Sequence, residues 1–292
     1  MTLALLVARA KRGEPGRLHP GAVRALRWCA PLLRLLYRPT LDGLAHLPAD
    51  GPFLLVANHS GAIAVAECMC FAMRYVEACG ASKPLAGFAH PIGFYIWPAS
   101  LALRHIGAVP STHEAGEAAL RQGVPLLIFP GGDHEALRPI WRANEVDFGG
   151  RVGFLKLARK MRVPIVPMGI QGSHYTAPVL WRSDYVLARL LILPRLLGLK
   201  RYPVTLLALL GVVAIWALVP WAWPFRVLAV WVWLMLPVPT MLPWIPWKVR
   251  MRVGAPLPPE ALFPDDSEAT LKAALRRVEG DIHTLVRHSQ KR

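Results

Sequence analysis

The chain has 292 residues, with 34 Lys and Arg against 18 Asp and Glu, a formal charge of +16. That length fits one large domain, with or without an elaboration. The basic surplus suits nucleic acid or an anionic membrane, and 54% apolar residues, eleven Trp and a mean hydropathy of +0.36 favour the membrane over nucleic acid, so no nucleic-acid partner is expected.

The N-terminus is apolar over residues 1–10, but its charges, Arg9, Lys11 and Arg12, follow the apolar run, unlike a signal peptide. Residues 21–38 read as a basic amphipathic helix kinked at Pro31. At 100° per residue, Arg24, Arg27, Arg34 and Arg38 share an arc of about 80°, with Leu26, Leu32, Leu33 and Leu36 elsewhere on the helix. Such a helix is expected to lie on an anionic leaflet. Cys29, Cys68, Cys70 and Cys79 form no C-x-x-C pair, so neither a disulfide framework nor a zinc site is expected, and a reducing cytosolic face is.

From residue 53 the text alternates strands and helices. A strand at 53–58 leads to a helix at 62–79 and a loop-rich stretch at 84–98. A turn at 106–110 precedes a short helix opened by Ser111-Thr112-His113-Glu114, a capping box. A strand at 126–129, a helix at 150–161 and a strand at 165–170 follow, then a late strand at 248–253 and a C-terminal helix at 267–288. This order predicts an α/β fold with a mostly parallel sheet flanked by helices.

Residues 204–247 interrupt the pattern, since Arg226 is their one charge. The uncharged stretches, 22 residues over 204–225 and 21 over 227–247, each approach the ~20 residues of a bilayer-crossing helix. Six prolines shorten the clean helical portions to 204–219 and 225–236. Seven of the eleven Trp fall here, with Lys200 and Arg201 before the segment and Lys248, Arg250 and Arg252 after it. The expectation is an inserted apolar membrane hairpin, spanning or re-entrant. The chain then divides into a membrane-associating region at 1–39, a core at 40–203, the hairpin at 204–247, and the last strand and helix at 248–292.

Two motifs carry the chemistry. Asn58-His59-Ser60-Gly61 follows the apolar run 53–57, and Pro130-Gly131-Gly132-Asp133 follows the run 126–129. Strand C-terminal ends in an α/β sheet meet at one crevice, so the histidine and the glycine loop are expected together. The glycine pair allows close backbone approach to an anionic or polar group.

These motifs resemble the glycerolipid acyltransferase superfamily, with its PlsC-like fold, closest to the diacylglycerol acyltransferase-like and phospholipid/glycerol acyltransferase-like branch. Four blocks match in order: 58–61, the looser 103–110, the most specific block 129–139, and 163–167, with 148–154 in support. The likeness covers roughly residues 40–180 and 248–258. It implies an O-acyltransferase in which His59 is the general base on a lipid hydroxyl that attacks an acyl-CoA or acyl carrier protein thioester. It implies no bound cofactor beyond that co-substrate, membrane lipids as partners, and an active site on the cytoplasmic face of a membrane. Asn58, Ser60, Gly61, Gly131 and Gly132 would line the substrate site, with Arg138 as a charge partner. Direct transfer needs no Ser or Cys nucleophile.

The sequence departs from the family at the acidic partner of the histidine. The H-x-x-x-x-D spacing lands on Ala64, and the closer branch's position on Ala66. Glu67 or Asp133 is expected to supply the charge, Glu67 being preferred. Among the other histidines, His90, His105, His113, His134 and His174 have no metal-like spacing, and no metal is expected. The competing readings are a catalytically impaired lipid-binding scaffold, favoured by Ala64 and Ala66, and a lipid ester or thioester hydrolase using the same base on water.

Overall fold

The computed structural model describes residues 14–61, 66–196, 201–236, 239 and 242–290. The expectations for residues 1–10, for the helix start at 62–65 with Ala64, and for Lys200 lie outside the described residues. Nine strands are described: β1 Thr40–Asp42, β2 Leu54–Ala57, β3 Ala86–Ala89, β4 Val109–Pro110, β5 Leu126–Ile128, β6 Ile165–Gln171, β7 Val179–Asp184, β8 Arg201–Thr205 and β9 Arg250–Val253. The helices are α1 Pro20–Tyr37, α2 Ala66–Cys79, α3 Ala99–His105, α4 His113–Arg121, α5 Gly132–Ala136, α6 Gly153–Met161, α7 Val186–Leu190, α8 Ile192–Leu196, α9 Leu206–Leu218, α10 Trp223–Met235, α11 Pro259–Leu262 and α12 Glu268–Gln290.

Seven strands form one sheet in the order β1-β9-β6-β2-β5-β3-β4, every pair parallel except β6 with β9. This agrees with the α/β reading. Successive side chains of a strand face opposite sides of a sheet, and the two faces are both covered. Leu54, Val56, Leu126 and Ile128 pack with α4, α6 and α12, while Leu55, Ala57 and Leu127 pack with α1 and α2. The parallel registers Leu54↔Leu126 and Val56↔Ile128 end β2 and β5 side by side, so both motifs leave the sheet at the same edge.

Helix α1 runs through Pro31, capped by the His19 side chain, which accepts from the Gly21 N–H at 3.1 Å. Its buried residues, Leu26, Ala30, Leu33 and Tyr37, recur at helical spacing against the core. The apolar face expected to meet a leaflet is therefore partly committed to the domain. Trp28, Leu32 and Leu35 form a separate, exposed set.

The segment 204–247 differs from expectation in length and start. Val204 and Thr205 belong to β8, which pairs antiparallel with β7 in a ribbon apart from the main sheet. Thr205 then caps α9, accepting from the Ala208 N–H at 3.1 Å. α9 and α10 have 13 residues each, about 20 Å at 1.5 Å per residue, against a hydrocarbon core of about 30 Å. No helix among the described residues is long and apolar enough to cross a membrane, which corrects the spanning expectation. The two helices pack on each other where Gly211 faces the Trp233 ring, whose Nε1 donates to the Ala208 carbonyl at 3.0 Å. Arg226 closes the tip, donating to the Val219 carbonyl at 2.9 Å and lying 5.8 Å from the Trp216 ring centroid. Leu218, Trp221, Trp223, Phe225 and Leu228 point away from the protein, all more than half exposed.

Candidate active site

The chain leaving β2 is pinned before it reaches the histidine. Asn58 is buried, and its side-chain amide donates to the Ile170 carbonyl at 2.8 Å and accepts the Ile170 N–H at 2.7 Å. This side-chain clasp continues the β2–β6 ladder by one step. It engages both polar atoms of the Asn58 side chain with the scaffold. Gly61 adopts φ +86°, and a Cβ there would meet the Ser173 carbonyl oxygen at 2.8 Å, so only glycine fits this turn.

His59 Nδ1 hydrogen-bonds Glu67 Oε1. Glu67 is fully buried in the first described turn of α2. Its Oε1 also accepts the Ser60 N–H at 3.2 Å, and its Oε2 accepts the hydroxyls of Ser60 at 2.9 Å and Ser173 at 2.8 Å. A buried carboxylate held by this many donors has a fixed orientation. With Nδ1 directed to Glu67, Nε2 is the nitrogen left to face a substrate. The ring rests against Phe129, with centroids 4.7 Å apart, and the side chain keeps 22% of its surface open. Burial disfavours the imidazolium, but the charge and hydrogen bond of Glu67, with the charge of Glu135, outweigh it and raise the His59 pKa above its ordinary value.

Asp133, the other candidate for orienting His59, is engaged elsewhere. Its Oδ1 accepts from Arg151 at 2.6 Å and its Oδ2 from Arg201 at 2.7 Å. Burial works against the Asp133 carboxylate, yet these two arginines hold its pKa below the usual range. Asp133 therefore ties the glycine loop to α6's approach and to β8 rather than to the imidazole.

Glu135, which the sequence reading passed over, is the second carboxylate of the site. It is fully buried, and its Oε2 accepts the His59 backbone N–H at 3.0 Å. Its Oε1 accepts the Asp147 N–H at 3.1 Å and a guanidinium N–H of Arg138 at 3.2 Å. Burial pushes the Glu135 pKa up to about 7 against these donors and the Arg138 charge. A Cβ on Gly131 would fall 2.2 Å from the Glu135 side chain, so the first glycine of the pair makes room for this carboxylate. The second, Gly132, has φ +45°. In the sequence Glu135 sits among Asp133, His134 and Arg138, so nothing marked it as the buried carboxylate of this block.

Arg138 is also buried, and donates to the Glu145 and Asp147 carbonyls as well as to Glu135. Its place is inside the wall, in contrast to the free charge partner expected. His134 Nε2 bonds Asp147 Oδ2 at 2.9 Å. His174 is buried, and burial, with the charges of Arg138 and His59, drives its pKa down to about 3, so it stays neutral. No group of His, Cys, Asp or Glu suited to a metal ion occurs among the described residues.

Ser60 and Ser173 both donate to Glu67, and neither bonds His59, so the site holds no serine activated by the histidine. What the geometry offers is a base nitrogen backed by a buried carboxylate, beside a loop of close-approach glycines.

The acyltransferase family profile matches residues 38–171. An uncharacterized protein of Mycobacterium tuberculosis is 29% identical over 179 residues, 60% of this chain and 48% of that protein. A human protein named DGAT1/2-independent enzyme synthesizing storage lipids is 34% identical over 131 residues, 45% of this chain and 39% of that one. This chain thus spans about half or less of the length of these curated relatives. Among solved structures, that of the 1-acyl-sn-glycerophosphate acyltransferase PlsC from Thermotoga maritima aligns with a TM-score of 0.49 at 17% identity, covering 96% of this chain and 79% of that one.

Proposed function

We propose, from the match of residues 38–171 to the acyltransferase family and the geometry of the site, that this chain moves a fatty acyl group from a thioester to a glycerolipid or similar lipid hydroxyl, with His59 as general base. The observation that carries the reading is the His59–Glu67 pair, which supplies the acidic partner missing at Ala66. His59 Nε2 takes the proton of the acceptor hydroxyl as its oxygen attacks the thioester carbonyl carbon. The tetrahedral intermediate collapses, the C–S bond breaks, and the departing thiolate takes the proton back from the imidazolium. The products are an ester and a free thiol, and no bound cofactor is required. Glu67 fixes the tautomer and stabilises the imidazolium formed in the transition state.

The Gly132 N–H is spent on the Phe129 carbonyl at 3.1 Å, which leaves the Gly131 N–H as the loop's candidate to receive the developing oxyanion. Ser60 and Gly61 shape the floor on which the acceptor rests. The exposed tip of the α9–α10 hairpin, with Trp28, Leu32 and Leu35 of α1, gives the protein apolar surfaces suited to one leaflet, and we place it on the membrane as an interfacial protein. We further place the crevice on the cytoplasmic face of that membrane.

The test is incubation of the purified protein in mixed micelles with labelled acyl-CoA or acyl carrier protein and a panel of lipid alcohols, beside His59→Ala. Ester formed by the wild type and absent with the variant supports transfer. Free fatty acid alone replaces the reading with hydrolysis, and lipid binding without turnover replaces it with a scaffold.

A further inference from the structure

A cleft of about 230 Å3 between the turn Ile140–Arg142 and strand β7 takes no part in the acyl-transfer steps. Two indoles line it, Trp141 at 68% and Trp181 at 55% exposure. Neither belongs to the α9–α10 hairpin or to α1, the two surfaces placed on the leaflet. The π face of an indole carries negative charge density, so it attracts the weakly positive C–H bonds on the apolar face of a ligand ring.

Each basic group that lines the cleft is matched by a carboxylate. Arg142 pairs with Glu145 at 2.5 Å and Arg182 with Asp184 at 3.2 Å. His134 bonds Asp147 at 2.9 Å, and inside the wall the buried Arg138 holds Glu135 at 3.2 Å. Charge matched in this way gives little reason for a phosphate to enter. It leaves N–H donors and carboxylate acceptors side by side, within reach of solvent at the Arg142 and Arg182 pairs. A hydroxyl both donates and accepts, so two adjacent hydroxyls can accept from the guanidinium and donate to the carboxylate of one pair. An acyl chain laid here would cover those polar groups without bonding them, at a cost in free energy.

Aromatic faces beside matched donors and acceptors suit a sugar ring, which has an apolar C–H face and a rim of hydroxyls. The cleft is smaller than the roughly 300–1,000 Å3 of a site that encloses a whole small molecule, so it takes one ring of a larger ligand. It also shares a wall with the reacting histidine. Arg182 donates to the His134 carbonyl at 3.2 Å, and the next residue, Glu135, accepts the His59 N–H at 3.0 Å. We propose that this cleft binds the uncharged sugar ring of a glycosylated lipid, and that this glycolipid is the acyl acceptor. One of its hydroxyls gives up a proton, its oxygen takes the acyl group, and the donor leaves as the free thiol. The acceptor role rests on the acyl-transfer reading, whereas sugar binding is tested without turnover.

Methyl glucoside, methyl galactoside and methyl mannoside are titrated calorimetrically into the full chain, held in micelles of a detergent without a sugar head group, with inorganic phosphate as the anionic probe. The same titrations are run on Trp181→Ala and on Trp141→Ala, the latter on an exposed turn that tolerates change if the strand variant misfolds. Saturable binding of at least one glycoside, weakened roughly tenfold by each variant and not displaced by phosphate, is the expected result. In turnover, a monoglycosyl monoacylglycerol is expected to exceed monoacylglycerol in kcat/KM by roughly tenfold or more, and both variants to shrink that ratio. Absent glycoside binding, binding indifferent to both variants, or saturable phosphate binding in its place overturns the proposal. Equal turnover of the two acceptors rejects the glycolipid acceptor and keeps the proposed reaction. Glycoside binding as expected, with no acyl transfer to any acceptor, upholds the sugar site and rejects the proposed reaction.

Discussion

Glu67 lies one residue past the position where the related branch keeps its acidic partner, and its carboxylate nevertheless bonds His59 Nδ1 from a fully buried seat. The extra methylene of Glu over Asp accompanies the shift in register. Ser60 and Ser173 hold the second oxygen, so the side chain is fixed as well as reaching. Glu67→Gln keeps the volume and removes the charge. It is expected to lower kcat by about 10³–10⁴-fold, the scale seen when an orienting carboxylate is neutralised, with the far-ultraviolet circular dichroism unchanged. Asp133→Asn is expected to leave the His59 titration in place, because Asp133 bonds Arg151 and Arg201 instead. An equal loss of kcat in both variants would contradict this division.

The pH dependence follows from His59. Its folded pKa is raised, by Glu67 against the effect of burial, and in the proposed role of base it would work only when neutral. Activity therefore rises with pH through an apparent pKa above the usual ~6.5 of histidine. Glu67→Gln withdraws the charge that stabilises the imidazolium, so the rising limb moves to lower pH while the plateau falls. A pH–kcat/KM profile of both proteins reads the two effects separately.

Glu135 gives a stability prediction with a defined sign. Its pKa is about 7 in the folded protein and near 4.5 unfolded, so between those values the folded state holds a proton that the unfolded state releases. Its contribution is full below about pH 4.5 and is lost as pH rises toward 7. Denaturant titrations should show that decline in the wild type and a flatter profile in Glu135→Gln. Glu135→Ala goes further, stranding the buried Arg138, and is expected to cost about 3–5 kcal/mol.

How far these features were legible in the sequence depended on which force placed each residue. The runs at 54–57 and 126–128 are apolar because both sheet faces are covered, and an apolar run between turn residues is a signal that one sequence carries. Glu135 gave no such sign, since a carboxylate in a short helix looks like a solvent-facing residue until the fold closes over it. The β7–β8 ribbon was missed because Trp181, Arg182 and Asp184 break any alternating apolar pattern. The hairpin was overestimated because hydropathy alone does not reveal that Val204 and Thr205 are paired in a strand.

Gly61→Ala tests the turn after the histidine. A Cβ at φ +86° meets the Ser173 carbonyl oxygen, and strain of this kind costs on the order of 1–3 kcal/mol. The variant is expected to melt lower and to lose activity beyond the stability loss, because Ser173 also holds Glu67.

The exposed hairpin tip is tested with Trp221→Asp and Trp223→Asp, alone and together. Co-sedimentation with anionic vesicles is expected to fall at least tenfold in the double variant, with thermal stability within about 0.5 kcal/mol of wild type, as for surface substitutions. Retained vesicle binding would assign the membrane contact elsewhere.

Strand β8 begins with Arg201, which grips Asp133 in the glycine loop, and its last residue, Thr205, caps α9. Five residues of extended chain, about 17 Å, thus form a spacer between the reacting loop and the apolar hairpin. If the hairpin tip seats in lipid, this spacer acts as a ruler, setting the height at which the crevice stands above the acyl chains. Inserting or deleting two residues in β8 would preserve which side each residue faces and change only that height.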